Sequence, residues 1–203
     1  MGDADPHIYL ASRSPRRAEL LTQIGIRFVL APAETDETPG SGESPEDYVS
    51  RVALDKARAA RGGLGSAAPL PVLAADTAVV LGDRILGKPS DETDAVAMLE
   101  ALSGRTHRVL TGVCLATGPK VLSAISASRV SFRPIAEEEM RRYWKTGEPH
   151  DKAGGYGIQG LGALFVTHLQ GSYSGVMGLP LYETGQLLER AGIRLIAASD
   201  PVT

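Results

Sequence analysis

The sequence contains little of several residue types, and each shortage excludes a class of protein. Its 203 residues include one cysteine, Cys114, so no disulfide bond can form within the chain. The four histidines lie far apart, and no Cys/His pair has the spacing of zinc ligands. No apolar run approaches the ~20 residues of a membrane span, and residues 1–6 lack the basic start of a signal peptide. We therefore expect a soluble cytoplasmic protein that neither spans nor binds a membrane.

An excess of basic residues is also absent. Lys and Arg number 21 against 24 Asp and Glu, which gives a net charge of −3. This balance argues against a sequence-independent nucleic-acid-binding protein, although a few local cations would suffice for a small anion. Aromatic residues make up only 5% of the chain, so we expect a core of Leu, Val, Ile and Ala.

Apolar periodicity predicts strands and helices that alternate early in the chain, followed by a pair of long strands. The predicted strands are 7–11, 27–30, 71–81, 84–86, 107–116, 121–132 and 163–169. The predicted helices are 15–24, 44–61, 90–103, 137–145 and 180–191, and residues 62–68 are predicted to form a loop. The pattern indicates an α/β fold with an extended mixed sheet flanked by helices. We expect one domain over residues 1–203, in which residues 85–145 could form a smaller lobe beside a central cleft.

The first segment that suggests chemistry is 12–17, SRSPRR, at a predicted strand-to-helix turn. A helix N-terminus offers unpaired backbone N–H groups, and an arginine side chain can donate two parallel hydrogen bonds to phosphate oxygens. Ser12, Arg16 and Arg17 are therefore candidate ligands for a phosphate chain. The alternative is a capped helix whose arginines are merely solvated.

The second segment is Asp76-Thr77, which interrupts the apolar run at 71–81. A carboxylate at the end of a buried strand is costly unless it is paired or bound to a metal. Asp76 is thus a candidate metal ligand, general base, or both. The alternative is an aspartate that begins a turn between two strands.

The third group consists of Lys56, Lys88 and Lys152 with the acid Glu37. Each lysine taken alone is typical of a solvated surface. Taken with the serine- and arginine-containing turn, the three lysines could neutralise a triphosphate. Carboxylates together with water and phosphate oxygens suit Mg²⁺ or Mn²⁺.

A fourth pattern, Gly-x-Gly-x-x-Gly at 155–160, matches a dinucleotide-binding motif. No predicted strand leads into it, and an apolar, strand-like run follows where a helix should begin. Because the motif needs that context, we reject a dinucleotide site at this position.

The ordered set of these segments resembles the Maf family of nucleoside triphosphate pyrophosphatases. The segments that carry the resemblance are LASRSPRR at 10–17, TDE at 35–37, ALDKA at 53–57, ADT at 75–77, GKP at 87–89, LSG at 102–104 and DKAGGYGIQG at 151–160. No single segment is decisive, but the order is specific and spans about residues 7–192. One departure is Gly155, which stands where the family usually has alanine.

The resemblance implies an inosine-triphosphatase-like fold with two lobes around a cleft, often as a homodimer. It implies a divalent metal and hydrolysis of a nucleoside triphosphate to the monophosphate and pyrophosphate. The family's base matches Asp76, and its second acid matches Glu37. The family's phosphate-binding residues match Ser12, Arg16, Arg17, Lys56 and Lys88.

The positions that separate substrates within the family match Arg16, Thr77 and Gln159, and here they resemble the branch that acts on dTTP and UTP. The chemistry is compatible, because the amide of Gln159 has the donors and acceptor to pair with N3–H and a carbonyl of uracil or thymine. Two alternatives remain: a nucleotide sensor linked to cell division that has no turnover, and a nucleic-acid-binding protein.

Overall fold

The computed structural model describes residues 5–65 and 69–195, which contain a seven-stranded mixed sheet. The strands are β1 (Ile8–Leu10), β2 (Phe28–Leu30), β3 (Val72–Leu81), β4 (Arg84–Leu86), β5 (Thr106–Thr117), β6 (Lys120–Phe132) and β7 (Val166–Gln170). Their order is β2-β1-β3-β5-β6-β7, and β4 pairs with β3. Strand β1 is parallel to β2 and β3, whereas the other pairs are antiparallel. The prediction of an α/β fold with a mixed sheet is confirmed.

Helices cover both faces of the sheet. They are α1 (Pro15–Gln23), α2 (Pro45–Leu64), α3 (Glu92–Leu102), α4 (Glu137–Trp144), α5 (Tyr173–Met177) and α6 (Leu181–Arg190). Short 3-10 helices lie at Glu148–Asp151, Ala153–Gly155 and Leu161–Phe165. Across the two described stretches of chain, no helix is long and apolar enough to cross a membrane.

Strand β3 is the centre of the packing, because its alternate residues face opposite sides of the sheet. On one side α2 lies against the strand, and the small residues Ala53 and Ala57 allow the close approach. The β3 residues that pack on this side are Val72, Ala74, Ala78 and Val80. Asp76 occupies the middle of this row, so its carboxylate shares a face with α2.

The opposite face carries two separate apolar clusters. One joins α1 and α6 and includes Leu21 and Leu188. The other joins α3 and α4 and includes Leu99 and Met140. One sheet therefore supports two groups of helices on this face, while the assignment of residues 1–203 to one domain and of 85–145 to a smaller lobe stays a prediction.

The structure differs from the predicted elements in three places. Asp76 lies in the middle of β3 rather than at its end or in a turn, because β3 continues through it to Leu81. Helix α2 runs on to Leu64, since two glycines near a helix end are tolerated. Residues 66–68 of the predicted loop lie outside the described residues. The last strand begins at Val166 rather than at residue 163, because a 3-10 helix precedes it.

Helix α5 was not expected from the sequence. It has five residues, too few to show apolar periodicity. Its local signal is Ser172, whose hydroxyl accepts a hydrogen bond from the Gly175 N–H at 2.9 Å and so caps the first turn.

Gly112 on β5 marks the point at which α2 comes closest to the sheet. A Cβ atom at this position would lie 2.7 Å from the carbonyl carbon of Val49 and 3.1 Å from the backbone nitrogen of Ser50. Both are backbone atoms of α2, so no side-chain rotation can relieve the clash. Gly112 is paired with Asp76 in the antiparallel register. The absence of a side chain at residue 112 thus lets α2 lie directly over the Asp76 face.

We predict that Gly112→Ala lowers the free energy of unfolding by at least about 1–3 kcal/mol, the usual effect of overpacking, because the helix must shift away from the sheet. Gly62→Ala in the same helix is the matched control. Its Cβ would meet no atom within 4 Å, so it should raise the free energy of unfolding by up to about 1 kcal/mol. Urea unfolding measures both, and equal stability of the two variants would contradict the close approach.

Candidate active site

A cavity of about 860 Å³ opens at a gap in the sheet beside β3. Strand β5 pairs with one edge of β3 from Val72 to Val80. On the other edge, β1 pairs with β3 only as far as Leu73, and β4 pairs only from Val79 onward. In the described part of the chain, residues 74–78 therefore have no strand partner on this edge. Both faces of the sheet reach the cavity here, Asp76 from one and Thr77 from the other.

The structure brings together all ten residues that the sequence singled out as site residues. The cavity lining includes Ser12, Arg16, Arg17, Glu37, Lys56, Asp76, Thr77, Lys88, Lys152 and Gln159. Their individual roles stay predictions. Six cationic side chains and four carboxylates line the cavity, so the site attracts anions even though the chain as a whole carries a net charge of −3.

The N-terminus of α1 faces this cavity. Ser14 is the N-cap residue, but its side chain makes no capping hydrogen bond, and the first turn contains no acidic residue. The hydroxyl of Ser12 accepts hydrogen bonds from the Ser14 N–H at 3.1 Å and from Arg17 Nη1 at 3.2 Å. Its own proton therefore remains to be donated to a ligand. The helix start thus offers donors and a partial positive charge to an anion, as the motif predicts.

Arg17 is held by a chain of hydrogen bonds through the sheet. Its Nε donates to the carbonyl of Gly178 at 2.7 Å, and its Nη2 donates to Thr77 Oγ1 at 3.4 Å. Thr77 and Thr111 join their hydroxyls at 2.9 Å, and Thr111 donates to the carbonyl of Gly175 at 2.8 Å. Because the Thr111 hydroxyl already donates its one hydrogen to the Gly175 carbonyl, the Thr77 hydroxyl must be the donor to Thr111. Thr77 therefore acts here as an acceptor for Arg17.

Lys56, Asp76 and Glu37 form the charged centre of the site. The Lys56 ammonium lies 2.7 Å from Asp76 Oδ1 and 2.9 Å from Glu37 Oε1. Asp76 is almost fully buried in β3, whereas Glu37 is more exposed and comes from the loop that precedes α2. The hydroxyl of Tyr48 donates to the backbone carbonyl of Glu37 at 2.9 Å and holds that loop against the helix. Two carboxylates from separate segments thus meet on one cation.

The surroundings shift the pKa values of Asp76 and Glu37 in opposite directions. Burial raises the pKa of Asp76 above its ordinary value of 3.8, and the charges of Lys56 and Arg17 offset this only in part. Burial also acts to raise the pKa of Glu37, but the hydrogen bond and charge of Lys56 and the charge of Lys88 outweigh it, so the pKa is lowered. Paired groups whose pKa values are pushed apart are typical of acid–base sites.

The donor set fits a divalent cation that is shared with substrate. Within residues 5–65 and 69–195 there is no cluster of three or more His, Cys, Asp or Glu side chains that could hold a metal alone. Mg²⁺, however, is usually bound by one or two carboxylates together with water and phosphate oxygens. Asp76 and Glu37 supply those two carboxylates, so the residues present are compatible with the expected Mg²⁺ or Mn²⁺.

The far wall of the cavity comes from residues 151–159. Asp151 accepts from Lys152 Nζ at 2.7 Å and lies 3.3 Å from Arg16 Nη1. This bridge joins the start of α1 to the glycine-rich segment across the cavity. Gln159 lies further along the same segment and is exposed on the cavity wall. The segment is made of turns and short 3-10 helices, with no strand leading into it, so it lacks the context that a dinucleotide-binding motif needs.

The sequence reasoning missed three side chains at this site. Tyr48 is one of the buried residues of α2, and nothing in the sequence around it indicates a role for its hydroxyl. Thr111 is one residue in a long predicted strand, and only the register with Thr77 shows its role. Asp151 had a usable signal, since it directly precedes Lys152.

Comparison with known proteins identifies the family of the chain. The family model described as Maf-like protein matches residues 7–191. Proteins named dTTP/UTP pyrophosphatase are 54% identical in Alkalilimnicola ehrlichii (91% of this chain, 92% of that protein) and 54% identical in Saccharophagus degradans (93% and 90%). The protein of that name in Pasteurella multocida is 52% identical (94% and 98%).

Among solved structures, the Ham1 protein of Staphylococcus aureus aligns with a TM-score of 0.46 and 15% identity, over 62% of this chain and 71% of that chain. The family assignment rests on the sequence matches, which span nearly the whole chain at more than half identity and include every segment that carried the resemblance. The chain therefore belongs to the Maf family.

Proposed function

We propose that this protein is a nucleoside triphosphate pyrophosphatase that hydrolyses dTTP and UTP to the monophosphate and pyrophosphate. The names of the similar proteins support this substrate class. The observation that carries the proposal is the pair Asp76 and Glu37, which have oppositely shifted pKa values and meet on Lys56 in a cation-lined cavity. A site that only bound nucleotide would not need a buried carboxylate poised to accept a proton.

The phosphate chain lies along the start of α1. Backbone N–H groups of the first turn, the Ser12 hydroxyl and the Arg17 guanidinium donate to its oxygens. Arg16, Lys56 and Lys88 supply further positive charge from around the cavity. These groups hold the chain in one orientation and stabilise the charge that grows on the departing pyrophosphate. Positioning and electrostatics of this kind provide most of the catalysis in phosphoryl transfer.

Asp76 is the general base. Its buried carboxylate takes a proton from a water molecule, whose oxygen forms a bond to the α-phosphorus. The bond from that phosphorus to the oxygen bridging to the β-phosphate breaks in line, and pyrophosphate departs with the bonding electrons. The raised pKa of Asp76 makes it a better proton acceptor than a solvated carboxylate.

A divalent cation, Mg²⁺ or Mn²⁺, would be held by Asp76 and Glu37 and would supply charge neutralisation at the phosphates. The lowered pKa of Glu37 keeps this carboxylate anionic. Lys152 lines the same cavity and adds to the positive charge around the triphosphate. Gln159 also lines the cavity, and we assign it to the base of the nucleotide. The Gln159 amide can accept from N3–H and donate to a carbonyl of uracil or thymine. The proposal includes a homodimer, on the basis of the resemblance to the family, and the cytoplasmic location that the sequence analysis predicts.

The proposal predicts that the wild-type protein releases pyrophosphate from dTTP and UTP with Mg²⁺ or Mn²⁺ and not with a chelator. Asp76→Asn should lower kcat by about 100-fold or more, because the general base is lost. The variant should still fold, because Lys56 keeps its ion pair with Glu37 when the charge of Asp76 is removed. Glu34→Gln is the matched control. Glu34 also lines the cavity, but it is exposed and pairs with Arg13 at the mouth, so turnover should persist.

Two results would contradict this function. Asp76→Asn with near-normal turnover would remove the proposed base. Tight triphosphate binding without turnover of any base by the wild-type protein would favour the nucleotide sensor instead.

The pH profile should depend on Lys56. Asp76 works deprotonated, so turnover falls as the pH drops through its raised pKa. Lys56 lowers the pKa of Asp76 by its charge and hydrogen bond, and its removal should raise that pKa further. We predict that the acid limb of the kcat/KM profile moves to higher pH in Lys56→Met.

Lys88→Met is the matched control for this profile. Lys88 lowers the pKa of Glu37 but is not among the groups that shift the pKa of Asp76. Its loss should therefore slow turnover without moving the acid limb of the profile to higher pH. An unmoved acid limb in Lys56→Met would contradict the assignment of Asp76 as the base.

The hydroxyl chain behind Arg17 gives another prediction. Thr111→Val removes the buried partner of Thr77 and leaves the Gly175 carbonyl without its donor. We expect KM for the triphosphate to rise about tenfold, since one hydrogen bond that orients Arg17 is weakened. Thr111→Ser keeps the hydroxyl and should restore most of the affinity. A lower Tm with unchanged KM in the valine variant would show that the chain serves stability alone.

A further inference from the structure

Gln159 lies in a tight turn formed by residues 157–160, and its neighbour in the turn, Ile158, is buried. The Gly160 N–H donates to the Gly157 carbonyl at 3.3 Å and closes the turn. Ile158 is buried in the cluster that contains Phe132, whereas Gln159 is exposed on the cavity wall. The placement of the Gln159 amide therefore depends on what holds the backbone at each end of this turn.

Glu148 holds both ends of the turn from behind the cavity wall. Its Oε2 accepts from the Leu161 N–H at 2.8 Å, and its Oε1 accepts from the Gly162 N–H at 3.0 Å. Its Oε1 also accepts from the hydroxyl of Tyr143 at 2.7 Å, and that hydroxyl accepts from the Gly157 N–H at 3.0 Å. Neither Glu148 nor Tyr143 lines the cavity.

Three glycines around Gln159 are explained by the Glu148 carboxylate and the Tyr143 hydroxyl. A Cβ on Gly160 would lie 2.6 Å from Glu148 Cδ, and a Cβ on Gly157 would lie 3.0 Å from Glu148 Oε1. A Cβ on Gly162 would lie 2.7 Å from the Tyr143 hydroxyl. Side chains at these positions would push the backbone off the carboxylate, so the glycine content of the segment follows from its contact with Glu148 and Tyr143.

Only an anionic acceptor satisfies this set of donors. Burial acts to raise the pKa of Glu148, but the Tyr143 hydroxyl and the Gly162 and Leu161 N–H groups outweigh it, so the pKa is lowered. The Glu148 backbone carbonyl also accepts from Lys152 Nζ at 2.7 Å. One residue thus connects the turn with a cation of the cavity.

We infer that Glu148 is a positioning residue for base recognition, which fixes Gln159 through the backbone of the turn at 157–162 and thereby sets the preference for uracil and thymine. This inference rests on the proposed function, because it assigns Gln159 to the base. Glu148 touches no substrate and does not take part in the phosphate chemistry. Its effect should therefore appear in base selectivity and not in pyrophosphate binding.

The test is Glu148→Gln, which keeps the shape but replaces one acceptor oxygen by an NH₂ group that opposes a backbone N–H. We expect KM for UTP to rise about tenfold and the preference for UTP over CTP and GTP to fall by a similar factor, as for one lost hydrogen bond. Inhibition by pyrophosphate, which occupies only the phosphate side, should keep its inhibition constant. Tyr143→Phe removes a single hydroxyl and should change selectivity in the same direction, which covers the case in which Glu148→Gln does not fold.

A double-mutant cycle separates positioning from simple stability. If Glu148 acts through Gln159, Glu148→Gln combined with Gln159→Ala should be no less selective than Gln159→Ala alone. Additive effects, or an equal loss for all nucleotides together with a lower Tm and unchanged selectivity, would overturn the inference.

The same double-mutant cycle can be measured as the affinity of each variant for α,β-methylene-UTP by calorimetry, which requires no turnover. Were the wild-type protein to bind this analogue but hydrolyse no nucleotide, the proposed function would fail while the cycle still decided the role of Glu148. Were the analogue not bound at all, the base assignment and this inference would both fall.

Discussion

The contact between the Lys56 ammonium and the buried Asp76 carboxylate is the interaction on which the rest of the site depends. Burying a carboxylate in the middle of a strand is unfavourable, and an ion pair in such a place rarely recovers the full cost of desolvation. The pair at 2.7 Å is therefore poorly explained by stability. It requires α2 to lie close to the sheet, which in turn requires Gly112. Packing of the helix and placement of the charge are thus one constraint, and the proposed catalytic role of Asp76 gives a reason for both.

The gap in the sheet beside β3 explains why residues on opposite faces can serve one ligand. Adjacent residues in a strand normally face different compartments. Asp76 and Thr77 both reach one cavity because β1 pairs with β3 only as far as Leu73, and β4 pairs with β3 only from Val79 onward. Asp76 then works with α2, and Thr77 works with Arg17 and the buried Thr111. The strand that carries the proposed base thereby also orients the arginine that we propose binds phosphate, with no need for a flexible segment between them.

Much of this arrangement could be predicted from sequence because its signals are local. Helix starts, apolar alternation and the ordered short motifs identified the mixed sheet and ten residues that the structure brings into one cavity. Non-local features could not be predicted in the same way. The position of Asp76 inside a strand depends on the pairing of β3 with β5. The role of Thr111 follows only from the register of that pairing, which sets Thr111 opposite Thr77. The role of Glu148 depends on a loop that curls around its carboxylate, for which periodicity gives no signal.

The two ends of the site are built from different kinds of structure, and this division has a functional consequence. The side proposed for the phosphates rests on α1, α2 and β3, which are two helices and a central strand of the sheet. The base side rests on turns, whose backbone N–H groups are satisfied by Glu148 and Tyr143. A change in the turn can therefore move Gln159 without disturbing Asp76, since they share no element. Such a division allows base preference to be altered while the hydrolytic chemistry is retained, because the chemistry is anchored in the regular elements.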